Sequence, residues 1–166
     1  GEDLMIALKL PEVKECMSKL LLSDTFDSFL FIEGEIVTYN TFSINGFLKK
    51  DFFEKDLAPS RDYSLWKDIR EYAFSLIKGK KTPLSFRFVF GLSEANIERL
   101  LKQQELNFQP QDVQGLYLNL KYDGQNLTCV TGTSMRLFTL DKSLEEAWDQ
   151  MVQRFFLKKE ISAEVL

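Results

Sequence analysis

The chain has 166 residues, 45% of them hydrophobic and 28% charged, with eight Gly, four Pro, two Cys and no His. Such a composition excludes disordered, collagen-like and low-complexity chains, and the length suits one domain, residues 1–166, with a sizeable core. The lack of His excludes Ser-His-Asp and Cys-His hydrolases, His metal triads and His proton shuttles, and two Cys are too few for a Cys-rich zinc site or a disulfide scaffold.

Formal net charge is −4, so binding of nucleic acid by the charge of the whole surface is not expected, although a local basic face is compatible with it. No window is long and apolar enough for a membrane helix. Residues 1–10 have no basic segment ahead of an apolar stretch, so no signal peptide is expected. Cytoplasmic residence is therefore expected. Cys16 and Cys129 read as small buried hydrophobes, and a disulfide would require that they meet in space.

The first element is a half-buried strand over residues 5–10, with Ile6, Leu8 and Leu10 on one side. Pro11 opens a helix over 11–22, on which Val13, Cys16, Met17, Leu20 and Leu21 recur at helical spacing. A polar loop at 23–27 leads to an apolar strand at 28–32. Glu33-Gly34 reads as a turn, and Glu35–Leu48 as further strand broken at Asn45-Gly46. Residues 49–62 read as an exposed connection.

Ser64 is placed to cap a helix over 64–78 with Trp66, Ile69, Tyr72, Ala73, Leu76 and Ile77 on one stripe, closed by Lys78-Gly79. Leu84–Phe90 alternates as a strand. Ser93 caps the next helix, which carries Ile97, Leu100 and Leu101, and 103–114 is a polar connection. Leu116–Tyr122 is a strand, Asp123-Gly124 a hairpin turn, and Asn126–Thr131 and Met135–Leu140 two strands around Gly132. Ser143 and Glu146 read as the capping box of a last helix over about 143–157, and 158–166 are expected to fray.

The order of elements repeats. Leu10-Pro11-Glu12 matches Leu92-Ser93-Glu94, Glu33-Gly34 matches Asp123-Gly124, and Ile36–Ser43 matches Leu127–Ser134. The expected fold is α+β: two βαβββ-like halves, about 5–48 and 84–140, packed as a pseudo-twofold pair with a mostly antiparallel sheet. The helix at 64–78 is an insertion and the helix at 143–157 an appendage. Neither half can bury its apolar sheet face alone, so the two helices are expected side by side.

Duplicated βαβββ units are the building block of the sliding DNA clamps. The run Leu116–Leu120, Asp123-Gly124, Leu127-Thr128 and Thr131-Gly132-Thr133-Ser134 resembles the strand–turn–strand texture of bacterial clamp domains, and Phe29–Ser43 resembles it more loosely. The stretches Leu21–Phe26, Phe74–Pro83 and Gly124–Leu144 resemble a small bacterial family, a domain of unknown function. The clamp resemblance implies helices that present cations to nucleic acid. Here these would be Lys14 and Lys19 on the first helix and Arg99 and Lys102 on the second, opposed by Glu12, Glu15, Glu94, Glu98 and Glu105.

Gly79-Lys80-Lys81-Thr82 lacks the first Gly and the register of a phosphate loop. With Lys78, Arg70 and Arg61 it is the best basic cluster in the chain. The candidate anion or nucleic-acid contacts are thus Lys14, Lys19, Lys78, Lys80, Lys81, Arg99 and Lys102. Thr131-Gly132-Thr133-Ser134 could form an anion nest, although a tight connection between strands explains it as well. Asp24 and Asp27 place two carboxylates on one loop, a spacing that turn chemistry also explains. Glu145, Glu146 and Asp149 read as a solvated acidic face. The tandem pairs Phe52-Phe53 and Phe155-Phe156 cannot bury both rings on one helical stripe, which makes Phe52, Phe53 and Phe156 candidate interface residues.

No catalytic residue, cofactor or metal is expected. The leading reading is a non-catalytic cytoplasmic binding or scaffold protein with a clamp-like fold, with a protein partner or a second copy and no membrane. Two others stay open: a small histidine-free enzyme using carboxylates and Lys, and an oligomeric, nucleic-acid-associated clamp homologue.

Overall fold

The computed structural model describes residues 6–77 and 82–166. In chain order the elements are β1 (Ala7–Lys9), α1 (Val13–Leu22), β2 (Leu30–Val37), β3 (Thr41–Asn45), β4 (Ser64–Leu65), α2 (Trp66–Ile77), β5 (Ser85–Gly91), α3 (Glu94–Gln103), β6 (Val113–Tyr122), β7 (Leu127–Met135), α4 (Ser143–Lys158) and β8 (Glu164–Val165). All strands join one antiparallel sheet in the order β3-β2-β5-β6-β7-β1-β8, and β4 pairs with β2 beyond β3. The class is α+β, as the alternation of strand and helix patterns predicts.

Register explains the burial. Phe86, Phe88 and Phe90 of β5 lie opposite Tyr122, Leu120 and Leu118 of β6. Leu120 and Leu118 in turn oppose Cys129 and Thr131 of β7, and Leu8 of β1 opposes Cys129. Side chains alternate along a strand, so these residues share one face, and all are buried. The other face carries the exposed Glu33, Glu35, Arg87 and Lys121. Its ion pair Arg87–Glu33, at 3.7 Å between exposed groups, adds little stability.

The connections put helices under the apolar face. β1 and β2 are separated by β7, β6 and β5, so the segment carrying α1 must cross the sheet. α2 packs against α1 and β2, and α4 packs against β7. Trp66, at the start of α2, lies 5.1–5.4 Å from the rings of Phe31, Phe88 and Phe90. Its indole N–H donates to the Leu20 carbonyl of α1 at 2.9 Å.

Several local expectations are corrected. Glu33-Gly34 is not a turn but lies inside β2. The glycine is needed for close packing, since a Cβ there would sit 2.6 Å from the Phe88 ring. The chain reverses instead at 38–40, where the Thr38 N–H donates to Asn40 O at 2.9 Å. The acidic-Gly match between the halves is lost with that turn, although each half still runs strand, helix and two-strand hairpin. Gly132 does not break a strand, because β7 runs through it, and 136–140 are not strand. α1 takes α2, rather than α3, as its principal helical neighbour, while α3 packs against the turn at 110–112.

Helix ends differ too. Ser64 pairs in β4, and α2 starts at Trp66. The closure at Lys78-Gly79 lies outside the described residues. The α4 N-terminus is served by Asp141, which accepts from the Ser143 N–H at 2.9 Å, not by a Ser143–Glu146 capping box. The Ser143 backbone and side-chain donors hold the exposed Asp141 carboxyl below the usual range. Residues 158–166 do not fray: Ile161 is buried and β8 pairs with β1. The Asp123-Gly124 hairpin forms as expected, with Gly124 at φ 99° and Asp123 Oδ1 accepting from the Gln125 and Asn126 N–H groups.

Gly46 is the tightest point of the frame. Its N–H donates to Ile32 O, its carbonyl accepts from Ser64, and an added Cβ would lie 1.9 Å from Phe31 O. The contact is with backbone, so Gly46→Ala must displace β2 from the core. Urea unfolding should show a loss of about 3 kcal/mol. A change below ~0.5 kcal/mol would mean the strand yields freely.

Candidate functional site

An apolar groove lies along α1. Its inner row, Cys16 and Leu20, is buried in the core. The next two rows, each at i, i+4, i+8, are Val13, Met17, Leu21 and Lys14, Ser18, Leu22. They form one wall of a groove of about 550 Å³. The facing wall is Phe74 and Ile77 of α2, with Thr82 and Pro83, and one end is closed by Tyr122 and Gln125 at the β6–β7 hairpin. Leu22 is 61% exposed, unusual for a leucine inside a helix that otherwise buries its apolar side. The Trp66 bond to Leu20 O sets the spacing of the walls, because it ties α2 to the last turn of α1.

On its other flank α1 borders a polar hollow of about 610 Å³ lined by Lys14, Glu15, Ser18, Lys19 and Glu160. Lys19 has a structural role there. Its ammonium donates to the carbonyls of Lys159 and Glu160, at 2.6 and 2.9 Å, and so caps the C-terminal end of α4.

The candidate cations among the described residues lie on two helices. Lys14 and Lys19 are on α1, whereas Arg99 and Lys102 are on α3, where Arg99 donates to Asn96 Oδ1 at 2.7 Å. Lys78, Lys80 and Lys81 lie outside the described residues. Arg70 is taken up by Asp27 in a two-pronged ion pair, with bonds of 2.9 and 2.8 Å, which ties α2 to the loop after α1. That pairing explains Asp27 without acid–base work. Arg61 lies 3.7 Å from Asp68.

Of the aromatic candidates, Phe52 is 88% exposed, and Phe53 is half-buried with the two rings edge to face at 5.9 Å. Phe156 is corrected: it is fully buried, because it continues the α4 stripe Leu144, Trp148, Val152 at four-residue steps. Phe155 turns partly inward as well and meets Phe26 and Phe29 at 5.3 and 5.2 Å. Both tandem rings are accommodated because the core wraps around α4.

Thr131-Gly132-Thr133 is buried strand, so the anion nest does not form. Thr131 instead bridges three elements. Its hydroxyl accepts from the Ile6 N–H just before β1, at 3.1 Å, and donates to Asp149 Oδ1 of α4 at 2.5 Å. Asp149 is thus not on a solvated acidic face. Burial holds its carboxyl above the ordinary aspartate range, and the bond from Thr131 works in the opposite direction. Cys16 and Cys129 are free and buried, and burial pushes the Cys16 thiol up to about 12. Among the described residues no group of three His, Cys, Asp or Glu could hold a metal, and no helix is long and apolar enough to cross a membrane.

The groove residues were visible in the sequence only as helical apolar positions, which is also what core residues look like. Leu22 is the usable signal: it follows Leu20 and Leu21 in a run of three, too wide an arc for the buried side of the helix to take in whole.

The Asp149 environment gives a pH test. The folded state holds the Asp149 proton more tightly than the unfolded chain does. The resulting stabilisation is therefore full below the unfolded pKa and lost as pH rises through the folded one. Asp149→Asn keeps an acceptor for Thr131 and removes the buried charge. It should raise stability at pH 7 by less than ~1 kcal/mol and flatten the stability slope just above the ordinary aspartate pKa. Urea titrations of both proteins across that range measure it; an unchanged slope would remove Asp149 from the account.

No curated protein and no solved structure matches the chain. A family model does, over residues 19–164, a stretch that begins within α1 and takes in the groove from Leu21 onward. By that match the chain belongs to DUF5721, a family of unknown function.

Proposed function

We propose that the chain is a non-catalytic binding module whose α1–α2 groove takes a short apolar helical segment of a protein partner. The observation that carries this reading is the apolar side of α1 at the groove, where Val13 and Met17 are half-buried and Leu22 is 61% exposed. Val13, Met17, Leu21 and Leu22 face Phe74 and Ile77 across a groove whose rim is polar at Lys14, Ser18 and Gln125. An apolar floor with a few polar rim groups suits the apolar face of an amphipathic helix, read at i, i+3, i+4 and i+7. The ionisable groups at the groove contribute rim polarity rather than a converging acid–base pair, which favours binding over chemistry. A reducing, cytoplasmic setting accords with the thiols of Cys16 and Cys129, buried and unjoined.

Selection of a displayed peptide library on the folded protein tests the reading. Enriched peptides should carry Leu, Ile or Phe at helical spacing and perturb the NMR signals of Met17, Leu22 and Ile77. Leu22→Asp and Met17→Asp should each weaken a selected peptide at least ten-fold, roughly 1.4 kcal/mol. Because Leu22 is largely exposed, Leu22→Asp should leave the melting temperature within ~3 °C. Peptides that bind as well to both variants, or a library that yields none, would sink the proposal.

A further inference from the structure

The sheet has two edges, and they differ. One is β8, two residues long, carrying Glu164. The other is β3, Thr41-Phe42-Ser43-Ile44-Asn45, which pairs with β2 on one side. Along its outer side no strand pairs with it among the described residues. Exposed edges are usually protected by charge, proline, a bulge or a covering segment. β3 contains no charged residue and no proline, and its register with β2 runs without a bulge. Its Thr41, Ser43 and Asn45 are exposed, while Phe42 and Ile44, on the core face opposite Ile36 and Gly34, are only half-buried.

We propose that β3 pairs antiparallel with β3 of a second copy, in the register that puts Ser43 opposite Ser43, so that two sheets become one across a two-fold axis. Three observations favour a second copy over an unrelated strand. First, this register alone pairs all five residues, Thr41 with Asn45 and Phe42 with Ile44 of the other copy. It keeps every apolar side chain on the core face, as antiparallel pairing requires. Second, it sets the Tyr39 end of one copy, 87% exposed, beside the Phe47 end of the other, 49% exposed, at both ends of the ladder. Each ring already has an aromatic neighbour in its own copy, Phe42 for Tyr39 and Tyr63 for Phe47, and the two pairs would meet across the seam as one aromatic cluster. Third, the nearest charges on the solvent face, Glu33 and Glu35 of β2, stand opposite Asn45 and Ser43. Glu35, on the axis, would be three strand spacings, ~14 Å, from its copy, and Glu33 farther still. That exceeds the Debye length at physiological salt, so self-pairing meets little repulsion.

A five-residue ladder is smaller than a stable interface, so a micromolar dissociation constant is expected. Light scattering from roughly 5 to 500 µM should show the mass rising from 19.3 kDa toward twice that value. Ser43→Lys sets like charges against each other on the axis and should weaken association several-fold. Mixing it with Ser43→Glu should restore association.

Ser43→Cys tests the register directly. Opposed residues of an antiparallel pair lie within disulfide reach, and both native thiols are buried. Mild oxidation with diamide should therefore give a covalent dimer from Ser43→Cys, and little from Gln125→Cys in the exposed β6–β7 turn. A monomer at every concentration, a dimer indifferent to Ser43→Lys, or equal cross-linking of the two Cys variants would each overturn the proposal. Should Ser43→Lys fail to fold, the Cys pair decides alone.

Discussion

Everything in this molecule depends on a sheet that is covered on one face only. Antiparallel strands present Phe31, Ile36, Phe86, Phe88, Phe90, Leu116, Leu118 and Leu120 to one side, and the four helices supply the rest of the core that buries them. Trp66 is the residue that holds this cover in place. It stands at 0% exposure among Phe31, Phe88 and Phe90, and its N–H closes on Leu20 O of α1. A tryptophan here supplies two things no aliphatic residue could: the area to fill the space over β2 and β5, and a donor for a carbonyl in the last turn of a neighbouring helix. The Arg70–Asp27 pair secures the same joint from the rim. The groove between α1 and α2 follows from that joint, since the two helices are fixed at their ends and leave Met17, Leu21, Phe74 and Ile77 to line the space between them.

Much of this was legible in the sequence, and the failures have physical causes. Strict alternation marked β5 and β6, because their outer residues Arg87 and Lys121 are charged. Asp123-Gly124 marked its hairpin because Gly124 needs positive φ. Glu33-Gly34 carries the same two residue types for a different reason. There Gly34 makes room for Phe88 and never leaves extended backbone, and a local motif cannot distinguish a glycine needed for space from one needed for φ. The same limit applies to Gly132, which sits flat in β7 near the Tyr117 and Asn119 side chains.

The site was less legible than the fold. Cations can be counted in a sequence, but their partners cannot. Lys19 reaches residues 140 and 141 positions away to cap α4, which no spacing rule exposes. The tandem Phe155-Phe156 suggests one exposed ring, yet the buried stripe Leu144, Trp148, Val152 continues through Phe156. Phe155 escaped exposure only because Phe26 and Phe29 lie within reach of its ring. Asp149 looked like one more acid on a helix N-terminal half. Its distinction comes from burial beside Thr131, a residue on a strand that periodicity alone marks as core.

One-sided cover also explains where the free surfaces are. An antiparallel sheet can leave a face to water if its outward residues are charged, and here Glu33, Glu35, Arg87 and Lys121 serve that end. The same arrangement cannot protect the edge at β3, since the helices lie beneath the sheet rather than beside it. At the opposite edge the chain itself returns: after α4 crosses under β7, Ile161 inserts into the core and β8 closes against β1. Among the described residues no such return reaches β3. The connection that follows it folds back at Gly46, where backbone meets backbone, and leaves toward β4. The close approach at Gly46 thus fixes two features at once: it locks β4 onto β2 and keeps the 49–63 segment from running alongside β3. The open edge is then a consequence of how the frame is anchored, and a partner strand is the element that would complete it.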